Sequence, residues 1–117
     1  MKKKYRVKKS EEIEKIIKEK NCKSNPYLTL YKRNNTETGH FRYAISVGKK
    51  IGNAVERNRI KRLITAVIDN LNIDLDSSTD VFIIARVQIK ELSYDELKKQ
   101  LEYLFRKQKL IKGEKNG

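Results

Sequence analysis

At 117 residues the chain suits one domain, long enough to bury a core without disulfide or metal staples, and its 38% hydrophobic content is low but above that of a disordered chain. A formal net charge of +13 opposes compaction and points to a polyanionic partner. A single cysteine and a single histidine exclude an internal disulfide, a cysteine-cluster zinc site and a two-histidine acid–base nuclease.

Basic residues 2–9 form an N-terminal arm with no apolar signal segment behind it, so a cytoplasmic setting is expected. "SEEIEKIIKEK" (10–20) then reads as a short helix. Ser10 is the expected N-cap, Ile13, Ile16 and Ile17 form one apolar stripe, and Asn21 is the expected stop. "YLTLYKR" (27–33) alternates as a strand, with Tyr27, Thr29 and Tyr31 on one face and Leu28 and Leu30 on the other. "NNTETG" is a turn, and His40 after it is expected in solvent. "FRYAISVG" (41–48) is a second strand, with Phe41, Tyr43, Ile45 and Val47 on one face.

The block "KKIGNAVERNRIKR" (49–62) opens a helix expected to start at Asn53 and run to about Leu71. "NIDLDSSTD" is a turn-rich loop. Asp74, Asp76 and Asp80 have the early spacing of a calcium loop, but Thr79 stands where glycine is needed and Ala85 where the closing glutamate belongs. "VFIIARV" (81–87) is apolar on both faces, as a buried central strand should be. Ser93 and Glu96 form a capping box that starts a helix with Leu97, Leu101, Leu104 and Phe105 inward. Residues 112–117 are expected to fray. No run approaches the roughly 20 apolar residues of a membrane span, and no domain linker is visible.

Charge is segregated along the chain. Residues 63–105 hold eight acids and four bases, a net −4, which leaves +17 for the remainder. On the helix after Asn53, Ile60, Leu63, Ile64, Val67 and Leu71 fall on one side at 100° per residue. Asn58 and Arg62 point away from that side, Arg57 and Lys61 flank one edge, and Arg59 flanks the other. A solvated helix normally alternates its charges for i,i+4 pairing. Glu56 is the one acid in this block, so the face reads as a polyanion-binding surface. "GKKIGN" lacks the second glycine followed by Lys-Ser/Thr that a phosphate-binding loop carries. The residues alone describe a binder without catalytic groups of its own.

The run "SVGKKIGNAVERNRIKRLI" resembles the signature of the protein subunit of bacterial ribonuclease P. "YRVKKSEEIEKII", "LYKR" and "VFIIAR" resemble the same family, so the likeness covers nearly the whole chain. The resemblance implies a single α+β RNA-binding domain over 1–117, an α/β sandwich. Its elements run α-β-β-β-α-β-α with a mainly four-stranded sheet, a short strand at 22–25 and a left-handed β-α-β crossover. It implies removal of the 5′ leader from precursor tRNA, with a catalytic RNA subunit and magnesium ions performing the hydrolysis.

The implied partners are that RNA, with one protein per RNA, and precursor tRNA, with no membrane. Carried over by position, Lys49, Lys50, Arg57, Asn58, Arg59, Lys61 and Arg62 bind the RNA subunit, and Asn58 lies near metal. Ile13, Ile17, Tyr31, Lys61 and Thr65 line the leader cleft. The family often carries phenylalanine at the positions of Ile13 and Ile17, arginine at Thr65 and serine at Gly48. Isoleucine packs on a base but cannot stack on it as a ring does. The alternative is a non-enzymatic ribosome- or tRNA-binding protein of similar fold. A membrane-surface protein would need a lipid-facing apolar helix face, and the apolar faces here are committed to a core.

Overall fold

The computed structural model describes residues 1–112. Its elements run α1 (Ser10–Lys18), β1 (Cys22–Ser24), β2 (Leu28–Asn34), β3 (Arg42–Val47), α2 (Ala54–Asn70), β4 (Thr79–Ala85) and α3 (Tyr94–Lys107), the expected order. Short 3₁₀ turns at Lys3–Tyr5, Lys49–Ile51 and Val87–Glu91 link them. The sheet order is β1-β2-β4-β3. β4 sits inside because it is apolar on both faces, pairing antiparallel with β2 (Leu30 opposite Ile83) and parallel with β3 (Ile45 opposite Ile83).

Side-chain alternation gives the sheet two distinct faces. Leu28, Leu30, Tyr43, Val47, Val81, Ile83 and Ala85 point one way. There they meet Ile60, Ile64, Val67 and Ile68 of α2 and Leu97, Leu101, Leu104 and Phe105 of α3. On the other face Ala44 and Phe82 pack with Ile16 of α1 and Val7 of the arm. The capping box of α3 forms as expected: Ser93 Oγ accepts the Glu96 N–H, and Glu96 returns the bond to the Ser93 N–H.

The β3–α2–β4 crossover is left-handed, and local chirality shows it. The Val7 N–H donates to the Tyr43 carbonyl at 2.9 Å, so Tyr43's peptide groups point off the edge of β3, away from β4. Its side chain enters the core beneath α2. For an L-residue those two directions place β4 to the left of an upward β3 seen from the helix side. The usual crossover has the opposite hand.

Several expectations are corrected in detail. Ser10 is the first helical residue; Lys9 is the N-cap, with no side-chain cap bond. α1 ends at Lys18, before Asn21. Tyr27 does not share the face of Tyr31: Asn25 Oδ1 accepts the N–H groups of Tyr27 and Leu28 at 2.9 Å each. That Asx turn directs Tyr27 against the main core. His40 is half-buried, edge-on to the Tyr5 ring at 5.5 Å. β4 begins two residues early, at Thr79, so Asp80 is a fully buried strand residue. The basic arm is not a free tail, because Val7 is buried and Arg6 bridges to Tyr43, covering the open edge of β3. Of the expected frayed tail, Lys112 exchanges hydrogen bonds with Asn72, and residues 113–117 lie outside the described residues.

Candidate nucleic-acid interface

Two surfaces carry the residues singled out by sequence. The first is the start of α2. Asn53 Oδ1 accepts the Glu56 N–H at 2.9 Å, which caps the helix and fixes its phase. Asn58, Arg59, Lys61 and Arg62 are exposed on α2, and Lys49 and Lys50 are exposed on the preceding 3₁₀ turn. Ile51 pins that turn by entering the main core.

Arg57 departs from the expected outward fan. It is half-buried, and its Nε is enclosed with no hydrogen-bond partner among the described residues. The apolar stripe runs through Ile60, Ile64, Val67 and Ile68, while Leu63 is only half-buried. That rotation brings Arg57, one turn before Ile60 and two before Ile64, onto the edge of the stripe.

Glu56, the one acid of the block, does not neutralise the basic face. Its carboxylate pairs with Lys90 at 3.0 Å and ties the 87–91 turn to the start of α2. The Lys90 ammonium holds the Glu56 carboxyl below its ordinary value, helped by the Asn53 backbone. Gly52 makes room for this arrangement, since a Cβ there would lie 2.7 Å from the Glu56 carboxyl carbon.

The second surface is the sheet face beneath α1. Ile13 and Tyr31 pack together with Ile84 around the small cluster of Val7, Ile16, Ala44 and Phe82. Ile17 follows on α1 and is 39% exposed. Lys61 and Thr65 are not part of this cluster. They belong to α2, whose core covers the opposite face, and the Thr65 hydroxyl is turned back onto the Lys61 carbonyl at 2.8 Å. Toward the ends of β3 and β4 the face opens into an apolar-floored cleft of about 390 Å³. Ile84 and Val87 contribute to its floor, and Lys49, Lys50 and Arg86 to its rim.

Sequence reasoning overlooked Arg86 and a buried polar network. Arg42 grips Asp80 through Nε and Nη2 at 2.9 and 2.8 Å, and Nη2 also donates to Glu12. Asn35 Nδ2 donates to Asp80 at 2.9 Å. The Asp80 hydrogen bonds push the Arg42 pKa upward. Asp80 reads from the sequence as the last residue of a loop, and only the earlier start of β4 makes it a buried charge that demands a partner of opposite sign. Asn58 is exposed, and among the described residues no group of three or more His, Cys, Asp or Glu side chains could hold a metal ion. The donor set therefore does not fit a magnesium ion held by the protein itself.

A model of the family described as Ribonuclease P matches residues 1–109. This chain belongs to the ribonuclease P protein family. It is 44% identical to the ribonuclease P protein component of Bacillus mycoides over 107 residues, which cover 92% of this chain and 93% of that one. A solved Staphylococcus aureus ribonuclease P protein, described as a mutant with defective mRNA degradation activity, superposes with a TM-score of 0.83 at 35% identity. That match covers 92% of this chain and 90% of the other. The Thermotoga maritima ribonuclease P protein, at 23% identity, shares the fold with a TM-score of 0.73 over 86% of this chain and 96% of its own. Membership of the ribonuclease P family makes this an RNA-binding protein of tRNA processing that partners an RNA subunit, and the ribosome-binding alternative is not favoured. No helix among the described residues is long and apolar enough to cross a membrane.

Proposed function

We propose that the chain acts as the protein subunit in removal of the 5′ leader from precursor tRNA, one protein per RNA, in the cytoplasm. Lys49, Lys50, Asn58, Arg59, Lys61 and Arg62 dock the RNA subunit, with Arg57 reaching it from the edge of the core. The sheet face with Ile13, Ile17 and Tyr31 receives the unpaired leader, and Lys61 and Thr65 border its path. The RNA subunit performs the hydrolysis. Magnesium, for which the described side chains offer no donor cluster, belongs with that RNA, and Asn58 stands near it.

One observation carries this reading: α2 presents a basic face with no ion pair among the described residues, and across the sheet lies a face that a single short helix only partly covers. The first suits a sugar–phosphate backbone, the second suits unstacked bases. Isoleucines at 13 and 17 give this face apolar walls and leave Tyr31 as the ring able to stack. The test is reconstitution with a bacterial ribonuclease P RNA at low magnesium. Leader cleavage that requires the protein is the expected result; cleavage indifferent to the protein overturns it. The protein alone, freed of RNA and contaminating nuclease, is expected to leave precursor tRNA uncut. The described residues hold one histidine, and it packs against Tyr5.

A further inference from the structure

The α1 wall of the open sheet face is weakly held by packing. α1 has nine residues, one of them fully buried, and no side-chain cap. Its C-terminal end is tied through Glu19 and Arg33 at 3.8 Å, and the Glu19 side chain is 56% exposed. Solvated pairs of that length contribute little. The N-terminal end differs. Glu12, in the first turn, meets a guanidinium that is itself immobilised, because Arg42 and Asp80 are register partners on neighbouring strands and Asp80 is fully buried. Asn35 closes the arrangement from the β2–β3 loop and accepts the Glu37 N–H at 3.2 Å.

We propose that Arg42 is a positioning residue for leader recognition: anchored on Asp80, it sets α1 over the sheet through Glu12 and so fixes the width of the leader cleft. The proposal rests on the cleft reading above. Only the arginine fork can hold Asp80 with two nitrogens and still offer a donor to Glu12; an ammonium on a flexible stem cannot hold both in one plane. The bond spans from β3 to α1, so it acts on the distance between sheet and helix and leaves α2 untouched. Glu12 borders a polar hollow of about 330 Å³ that Lys9, Lys15, Arg33 and Glu37 also line. This mixture of signs gives a second role for Glu12 to be tested against. If Glu12 acted only through its charge, removing it would make the surface more basic and tighten RNA binding.

The two roles therefore predict opposite signs. The experiment reconstitutes Glu12→Ala and Glu12→Gln with a bacterial ribonuclease P RNA. It measures affinity for leader-bearing precursor and for mature tRNA, and follows backbone amide exchange in α1 and α2. Tyr31→Ala runs beside them as the cleft control. Alanine is a good helix former, so it removes the contact without breaking α1. If α1 stays docked about a third to a tenth of the time, precursor affinity falls about three- to tenfold, since apparent affinity scales with the competent fraction. Glutamine retains an acceptor and should fall between alanine and wild type. Mature tRNA binding and affinity for the RNA subunit should hold level, with faster exchange confined to α1. Unchanged or tighter precursor binding in both Glu12 variants, with Tyr31→Ala weakened, overturns the positioning role and leaves the cleft reading standing. A Tyr31→Ala protein that also binds precursor normally removes the cleft reading and the proposal with it.

Discussion

Beneath α2 and α3, one cluster joins twenty-one buried residues; beneath α1, among the described residues, the cluster joins four. The same strands feed both, so the inequality arises from cover, not from strand composition. Two amphipathic helices close one face, and a nine-residue helix with one fully buried side chain closes part of the other. Apolar burial stabilises in proportion to area removed from water, so folding free energy is concentrated on the α2/α3 side. The α1 side keeps half-buried Tyr31, Ile13 and Ile84 available for contact. Stability and leader recognition thus occupy opposite faces of one sheet, and mutations at those sites should sort by face.

The largest separation should appear in stability. Leu101→Ala, at a fully buried site beneath α3, should cost about 2–5 kcal/mol in chemical denaturation. Ile17→Ala, exposed on α1, should cost about 1 kcal/mol or less. Equal losses at the two sites would mean that the α1 side carries far more of the fold than its packing indicates.

Tyr31→Ala sharpens the comparison from the side of function. Loss of a base stacked on its ring should cost about 1–3 kcal/mol, or roughly 5- to 150-fold in precursor affinity, with mature tRNA binding by the assembled enzyme unchanged. Tyr31→Phe should retain most of the affinity, because the ring does the stacking. Denaturation midpoints measured alongside separate this from unfolding. An alanine variant that weakens both RNAs equally would return Tyr31 to a purely structural role.

The stable face was the more legible one in the sequence. The central strand, the capping box of α3 and the inward Leu97, Leu101, Leu104 and Phe105 follow from period and capping chemistry, which are local signals. The basic helix was legible as well, but its rotation was not. Ile60, Ile64, Val67 and Leu71 are buried as their spacing implies, but Leu63 is only half-buried, Ile68 joins the core and Arg57 is drawn inward. Rotation is set by what the sheet presents, which no single-helix pattern contains. The Arg42 network joins Glu12, Asn35, Arg42 and Asp80, residues far apart in the chain. Only the sheet register brings Arg42 opposite Asp80. The strand edge covered by residues 6 and 7 was equally invisible, because the arm reads as a run of lysines.

Arginine substitutions on α2 probe that rotation. Arg59→Ala and Arg62→Ala, both at exposed sites, should each flatten the log–log salt dependence of RNA-subunit binding by about 0.7–0.9 for one lost phosphate contact. Asn58→Ala, neutral and exposed, should leave the slope unchanged and raise the magnesium needed for cleavage. Arg57→Ala should also lower stability, since its stem packs at the edge of the core. A slope change at Arg57 with no stability change would put its side chain back in solvent.

The smallest effect concerns Glu56, the acid within the basic helix. Its carboxyl is held below the ordinary value of 4.5, first by the hydrogen bond and charge of Lys90 and then by the Asn53 backbone. A carboxyl whose folded pKa lies below its unfolded one binds fewer protons in the native state. Its contribution is therefore fully present above about pH 4.5 and fades as pH falls through the depressed folded value. Wild type should be modestly more stable than Glu56→Gln at neutral pH, and the two denaturation curves should converge as pH drops below the usual carboxylate range. Because the pair is exposed, added salt should narrow the neutral-pH gap as well. Lys90→Ala should remove most of the pH dependence and leave what the Asn53 backbone and the Arg59 charge supply. A gap that persists undiminished into acid would mean that Glu56 acts through packing over Gly52, where its carboxyl lies against the backbone, and not through charge.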